Sequence, residues 1–353
     1  MNHSDIPAVA LLLSSIQNTF RWKLDYGPWQ TEIGGQMIFT DNHSKAGTGI
    51  VPVIPNYTEM QAGAYGIQKY RYERTAVEAG IRLDRQETRA GGYDWTGNYY
   101  GGNRKFCNFT YGLGGHYRLS KYWELTSNGN ELGSGIFVRG AASMNAERSH
   151  KWITSVSYRD KAFHIRLDSY LQWIKGYIYD EPLKENITVI SGTYPVFRYR
   201  QTPAFFRGAD FDFRFMPAAS WEYHLIASFI RANEQGTGNY LPYIPSFHLS
   251  HELAWTHQTK SHILFRLTAR HKFVAKQNRF NPATDLIPYT PPAYHLFGAE
   301  ASMECPVKYG NKLTLTVTAD NLLNREYKEY TNRSRYYAHD MGRDIRCTLN
   351  WNF

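Results

Sequence analysis

No run of about 18 apolar residues occurs anywhere in this 353-residue sequence, so a transmembrane helix is excluded. Cysteine is scarce. Cys107, Cys305 and Cys347 lie far apart, are odd in number and form no CxxC pair, so neither a disulfide framework nor a zinc site is indicated. Nucleophile elbows, phosphate loops and paired-carboxylate motifs are also missing, and nothing nominates a catalytic residue or a cofactor. The chain is not expected to be an enzyme. The N-terminal PAVALLLSS has the look of a signal-peptide core, yet only Asn2, His3, Ser4 and Asp5 stand where a basic flank belongs. It is expected to lead into a first strand instead. The net charge of +9 favours an anionic partner. Lys and Arg recur singly rather than in one block, so nucleic acid is not the expected one.

Aromatic residues and a period of two are abundant. Aromatics make up 16% of the chain, with 27 Tyr and 9 Trp, although apolar residues total only 42%. Phe163, Ile165, Leu167, Ser169, Leu171 and Trp173 alternate with His164, Arg166, Asp168, Tyr170 and Gln172. The same pattern runs through Val77–Asp84, Asp210–Phe215, Leu313–Asp320 and the terminal Ile345–Phe353. Side chains on a strand alternate between faces, so each segment has one apolar and one polar face, and helical periodicity nowhere competes. The fold class is all-β.

The connections come in two lengths that alternate. Tight ones include DYGPW at 25–29, YERT at 72–75, YRDK at 158–161 and MPAAS at 216–220. Long ones run from about His43 to Thr58, Arg89 to Asn103, Asn128 to Ala146, Gly176 to Thr202, Asn233 to Ser246, Gln277 to Pro292 and Asn324 to Asp340. This sorts long loops to one end of the sheet and tight turns to the other, as in a transmembrane antiparallel β-barrel with long extracellular loops and short periplasmic turns. About fifteen strands are expected, many of the roughly 9 to 11 residues that cross a bilayer at a tilt. Arg, Asp, His and Gln in mid-strand suit a wet lumen and not a dry core. An odd count leaves an open edge, so strands are expected before residue 1.

The segment TADNLLNREYKEYTNRSRYYAHDMGRDIRCTLNWNF resembles the C-terminus of TonB-dependent outer-membrane receptors. Asn321, Leu322, Leu323, Asn324 and Tyr327 match that family's N-L-[FL]-[ND]-x-x-Y stretch, and Gly342, Arg343 and Phe353 its P-G-R and terminal aromatic, with Met341 in the proline's place. GIVPVIPNYTEMQAGAYG, EAGIRLD, VFRYRQTPAFFRGADFDF and YLPYIPS are similar to the Bacteroidetes type of the family. The resemblance implies a barrel of about 22 strands, of which residues 1–353 form a C-terminal portion without signal peptide, TonB box, plug domain or early strands. It implies an integral place in the cell outer membrane, among lipid and lipopolysaccharide, reached through an export signal that this chain lacks. Trp351 and Phe353 are implied to be read by the barrel insertion machinery, and TonB to act only through the missing plug. The implied function is uptake of a scarce, bulky ligand such as a siderophore-like or other metal chelate, by a fragment not competent alone. A plugless porin-like channel of roughly 14 to 16 strands is the alternative.

The connections rich in Tyr, Arg and Asn carry the ligand-binding candidates Arg198, Tyr199, Arg200, Arg333, Arg335, Tyr336 and Tyr337. Arg and Tyr supply charge-assisted hydrogen bonds and flat contact area. Lipopolysaccharide contact or simple solvation explains the same composition. Asn130 and Glu131 stand where some relatives carry histidines. His248 and His251 fall on opposite faces of one strand, so no metal site is carried over. Trp22, Trp29, Trp123, Trp152, Trp173, Trp221, Trp255 and Trp351 read as an interfacial belt.

Overall fold

The computed structural model describes residues 10–45, 55–93, 98–134, 147–189, 192–307 and 311–352. Among the described residues fifteen strands follow one another in chain order, and every described pairing joins chain neighbours antiparallel. The chain divides into two units, residues 1–115 with 128–137, and 116–127 with 138–353.

In the first unit, β1 (Leu11–Tyr26) and β2 (Trp29–Ser44) pair without a break from Tyr26↔Trp29 to Leu11↔Ser44. Gly27, at φ +54°, supplies the left-handed residue of their turn. The expected lead-in thus holds for Leu11–Ser15, which begin β1. β3 (Asn56–Tyr72), β4 (Thr75–Tyr93) and β5 (Tyr99–Arg118) continue the meander.

The second unit takes the start of β6 (Trp123–Ser134), then β7 (Glu147–Arg159), β8 (Phe163–Val189), β9 (Gly192–Ala218) and β10 (Trp221–Glu234). β11 (His248–Gln258), β12 (Leu264–Val274), β13 (Tyr294–Pro306), β14 (Lys312–Asp320) and β15 (Asp344–Asn352) complete it. The apolar rows are bare of protein: Leu253 is 45% exposed, Leu267 50% and Trp152 50%. Burial falls on the other face, at the long-loop end, where Ile174, Ala204, Phe206 and Ala232 pack beneath Leu241 and Ile244 of the β10–β11 loop. Hydrophobic faces left open beside a half-covered polar face invert the soluble arrangement.

Two expected loops are largely strand, and of a third, Asn128–Ala146, residues 128–134 belong to β6 while 135–146 lie outside the described residues. Arg89–Asn103 is largely the ends of β4 and β5, and Gly176–Thr202 is a hairpin in which Tyr177↔Thr202 through Val189↔Gly192 stay paired, with one register shift between Pro182 and Asn186 and another at its base between Ile174 and Tyr177. At 27 residues, β8 and β9 far exceed a bilayer crossing. Beyond such a crossing both faces of a hairpin are wetted, so its polar composition imitates a loop while backbone pairing persists.

Candidate functional site

The long-loop end of the second unit gathers most of the candidates. Arg198, Tyr199 and Arg200 stand on β9, not on a loop. Arg198 lies opposite Glu181 in register and donates to its carboxylate at 2.8 Å through Nε. Arg200 reaches Glu181 at 3.4 Å and Glu234 at 3.2 Å. Glu234 also accepts from Thr202 Oγ1 at 2.5 Å and Thr237 Oγ1 at 2.6 Å, so its charge is fully engaged.

The β14–β15 loop joins this group from far along the chain. Asn332 caps a 3-10 turn at Arg333–Tyr336 by accepting from Ser334 N. Arg333 pairs with Asp180, and its guanidinium stands 5.0 Å from the Tyr243 ring and 6.0 Å from Phe197. The carboxylates that hold these cations, Asp180 and Glu181, are 8% exposed, whereas the side chains of Arg198, Arg200 and Arg333 remain 61%, 44% and 59% exposed. Such guanidiniums are held in place from beneath and open above.

Arg335 differs. Its side chain is fully buried and pairs with Asp285 of the β12–β13 loop, sandwiched by Tyr330 at 4.8 Å and Tyr336 at 4.5 Å. Tyr336 donates to Asp285 at 2.9 Å, and its hydroxyl meets that of Tyr243 at 3.2 Å. Burial pushes the Tyr330 phenol up to about 12. Burial also raises Tyr243, and Tyr336 rises through burial and then through its contact with Tyr243. Arg335 and Tyr336 therefore bind three loops to one another and do not face outward. Tyr337 does, at 73% exposure.

The motif residues build the turn that starts this loop. Asn321 and Asn324 adopt φ +47° and +49°, the left-handed region that asparagine tolerates. Asn321 Nδ2 donates to the Arg325 carbonyl at 2.9 Å while its Oδ1 accepts from Arg325 N at 2.8 Å. Asn324 Oδ1 accepts from Arg343 N at 2.9 Å, and a Cβ on Gly342 would come within 2.9 Å of the same oxygen. Leu322 N bonds Phe297 O at 2.8 Å, and Tyr327 packs on Tyr294 at 4.7 Å. Trp351 lies opposite Leu313 on β15, and Phe353 falls outside the described residues.

On the polar face, a cleft of about 450 Å³ is lined by Arg270, Lys272, Asp320, Tyr327 and Arg346 among others. Asp320 takes both Arg270 at 3.2 Å and Arg346 at 2.6 Å, Arg346 also meets Asp344 at 2.9 Å and Lys272 meets Glu329 at 3.8 Å, so these cations are matched by nearby carboxylates. Sequence reasoning missed the carboxylate anchors Asp180, Glu181 and Asp285. Asp180 lies 153 residues before its arginine, and no local pattern marks it.

The TonB dependent receptor-like β-barrel family matches residues 10–322, and the chain belongs to it. This is a non-enzymatic outer-membrane transport family. Among solved structures, the chain resembles the copper transporter OprC at TM-score 0.78 and 12% identity, over 97% of this chain and 57% of that one. It resembles the FrpB iron transporter of Neisseria meningitidis at TM-score 0.71 and 13% identity, covering 98% and 56%. The ferric citrate transporter FecA gives 0.68 and 14%, covering 97% and 54%. The chain thus spans a little over half the length of the receptors it matches. No curated protein matches the sequence. These comparisons support the TonB-dependent receptor barrel family and not its Bacteroidetes type in particular.

Proposed function

We propose that residues 1–353 supply the C-terminal wall and outer loops of a TonB-dependent receptor that imports a scarce anionic metal chelate. On this reading residues 1–353 form wall and loops that bind the ligand, and by themselves they do not transport it. The supporting observation is the trio Arg198, Arg200 and Arg333, whose guanidiniums are fixed by the neighbouring carboxylates of Asp180, Glu181 and Glu234 yet stay open to solvent. Preorganised cations lose little freedom when an anion arrives, and hydrogen bonds to charged groups contribute about 1.5–3 kcal/mol each. The similar solved structures include transporters of copper, iron and ferric citrate, which agrees in class with such a ligand.

The test expresses the chain behind an export signal in receptor-deficient cells supplied with ferric citrate or ferric siderophores. Surface binding of at least one anionic chelate is expected, weakened about tenfold or more by Arg333→Ala, with no energised uptake. Restored uptake, or binding indifferent to Arg198→Ala, Arg200→Ala and Arg333→Ala alike, overturns the reading. A steady single-channel conductance from the refolded chain favours the porin-like alternative instead.

A further inference from the structure

Charge is segregated between the two faces of β7–β10. On the polar face cations meet carboxylates: Arg166 pairs with Asp168 at 2.8 Å, and Arg214 lies 3.9 Å from Glu222. The apolar face holds no Asp or Glu on β7 from Arg148 to Tyr158, β8 from Phe163 to Lys175, β9 from Phe205 to Phe215 or β10 from Trp221 to Asn233. It nevertheless carries Arg148, Lys175, Arg207 and Arg231.

Register makes this arrangement costly. Arg148 lies directly opposite Lys175, and Arg207 directly opposite Arg231, two cross-strand pairs of like charge. Like charges directly opposite destabilise a sheet. None of the four meets a carboxylate among the described residues. Arg231 turns instead to Asn233 at 3.0 Å and to the Tyr240 ring at 5.3 Å. Arg279 of the β12–β13 loop joins them, resting 4.5 Å over Phe229 with its Nη2 on the Ile230 carbonyl at 3.4 Å.

Height along the strands is the second observation. The four strand cations stand 10 to 12 residues from the tight-turn ends of β7, β8, β9 and β10. A tilted crossing of the hydrocarbon takes about 9 to 11 residues, so all four emerge together at the far headgroup layer. Below them on the same face come exposed Trp152, Leu171 and Trp173. Resting on the outer-membrane reading, we propose that Arg148, Lys175, Arg207 and Arg231 form a belt on the lipid-facing side that binds phosphate-bearing lipid headgroups of the outer leaflet. One phosphate between each opposed pair turns repulsion into two charge-assisted contacts, and guanidinium is suited to bidentate phosphate binding.

The test uses the full chain in zwitterionic detergent micelles doped with diphosphorylated lipid A, with its monophosphorylated form, or with inorganic phosphate as a soluble competitor. Retained lipid is counted by native mass spectrometry. The wild-type chain is expected to retain the diphosphorylated lipid preferentially. R148Q/K175Q and R207Q/R231Q should each lose at least roughly tenfold in affinity, while R166Q on the polar face matches wild type. In lipid-free micelles the double variants should unfold at the same or a higher temperature, because opposed like charges are gone. Equal retention by the variants, no preference for the second phosphate, or displacement by equimolar inorganic phosphate overturns the belt. A chain that stays dissolved and monomeric without detergent sinks the membrane reading itself, whereas a detergent-requiring chain with unselective retention sinks only the belt.

Discussion

Replacing Asp285 with alanine leaves the Arg335 guanidinium buried without its counter-charge. Arg335 is 0% and Asp285 2% exposed at the side chain, and Arg335 Nε and Nη1 find no protein hydrogen-bond acceptor among the described residues. The pair and the rings of Tyr330 and Tyr336 carry the compensation for burying that charge. Removing one member of a buried pair costs about 3–5 kcal/mol, because the other charge stays desolvated. At about 1.4 kcal/mol per tenfold, local opening of the loop should rise by about two to three and a half powers of ten, up to the limit set by the loop's own opening free energy. Amide exchange reads this directly at Arg335, Tyr337 and Ala338, whose N–H groups bond to Asn332 and Ser334 carbonyls. Those amides should accelerate in Asp285→Ala while the β11–β12 ladder does not. The double variant D285L/R335M, apolar on both sides, should recover most of the protection. Unchanged exchange in Asp285→Ala, or a double variant as labile as the single, refutes the assignment of this pair as the loops' anchor.

Alkaline titration probes the same cluster. The raised phenols of Tyr243, Tyr330 and Tyr336 mean that the folded loops hold these protons more tightly than the unfolded chain does, whose tyrosines titrate near about 10. Their contribution is complete below that pH and is lost as pH rises through the Tyr330 value of about 12. Near-ultraviolet absorbance should resolve a late-titrating class, and a single tyrosinate step contradicts it. The lipid-facing assignment is checked by Leu253→Arg, mid-strand on the apolar face, which should cost about 2–4 kcal/mol of folding free energy in bilayers. Thr316→Arg, on the polar face opposite the uncharged Ser302 and Thr348, should be close to neutral, and equal costs at the two positions contradict the assignment.

Much of the fold was legible in the residue order. Alternation in Phe163–Trp173 and Leu313–Asp320 marked strands and told apolar from polar rows, because that period needs only neighbouring residues. Asn321, Asn324 and Gly342 were recognisable as a motif, and their turn geometry explains the residue types. The β8–β9 hairpin was read as loop because, where water wets both faces, hydropathy no longer distinguishes a paired backbone from an unpaired one. Arg198 and Arg333 stood out by type, and so did Arg335. Which of them open to solvent was not legible, since Arg335 meets Asp285 across 50 residues and Arg333 meets Asp180 across 153.

The order of residues by itself determined that this chain is built of strands with one greasy row and one wet row, a consequence of backbone geometry over two residues. Only the tertiary structure decided which charges neutralise each other and which are left opposed. The rows of Arg148 and Arg207 are plain in sequence, but their like-charged partners depend on strand register, and the burial of Arg335 depends on loops meeting at one end of the sheet. Register and loop contact are sums over distant parts of the chain, fixed by pairing and packing across many strands.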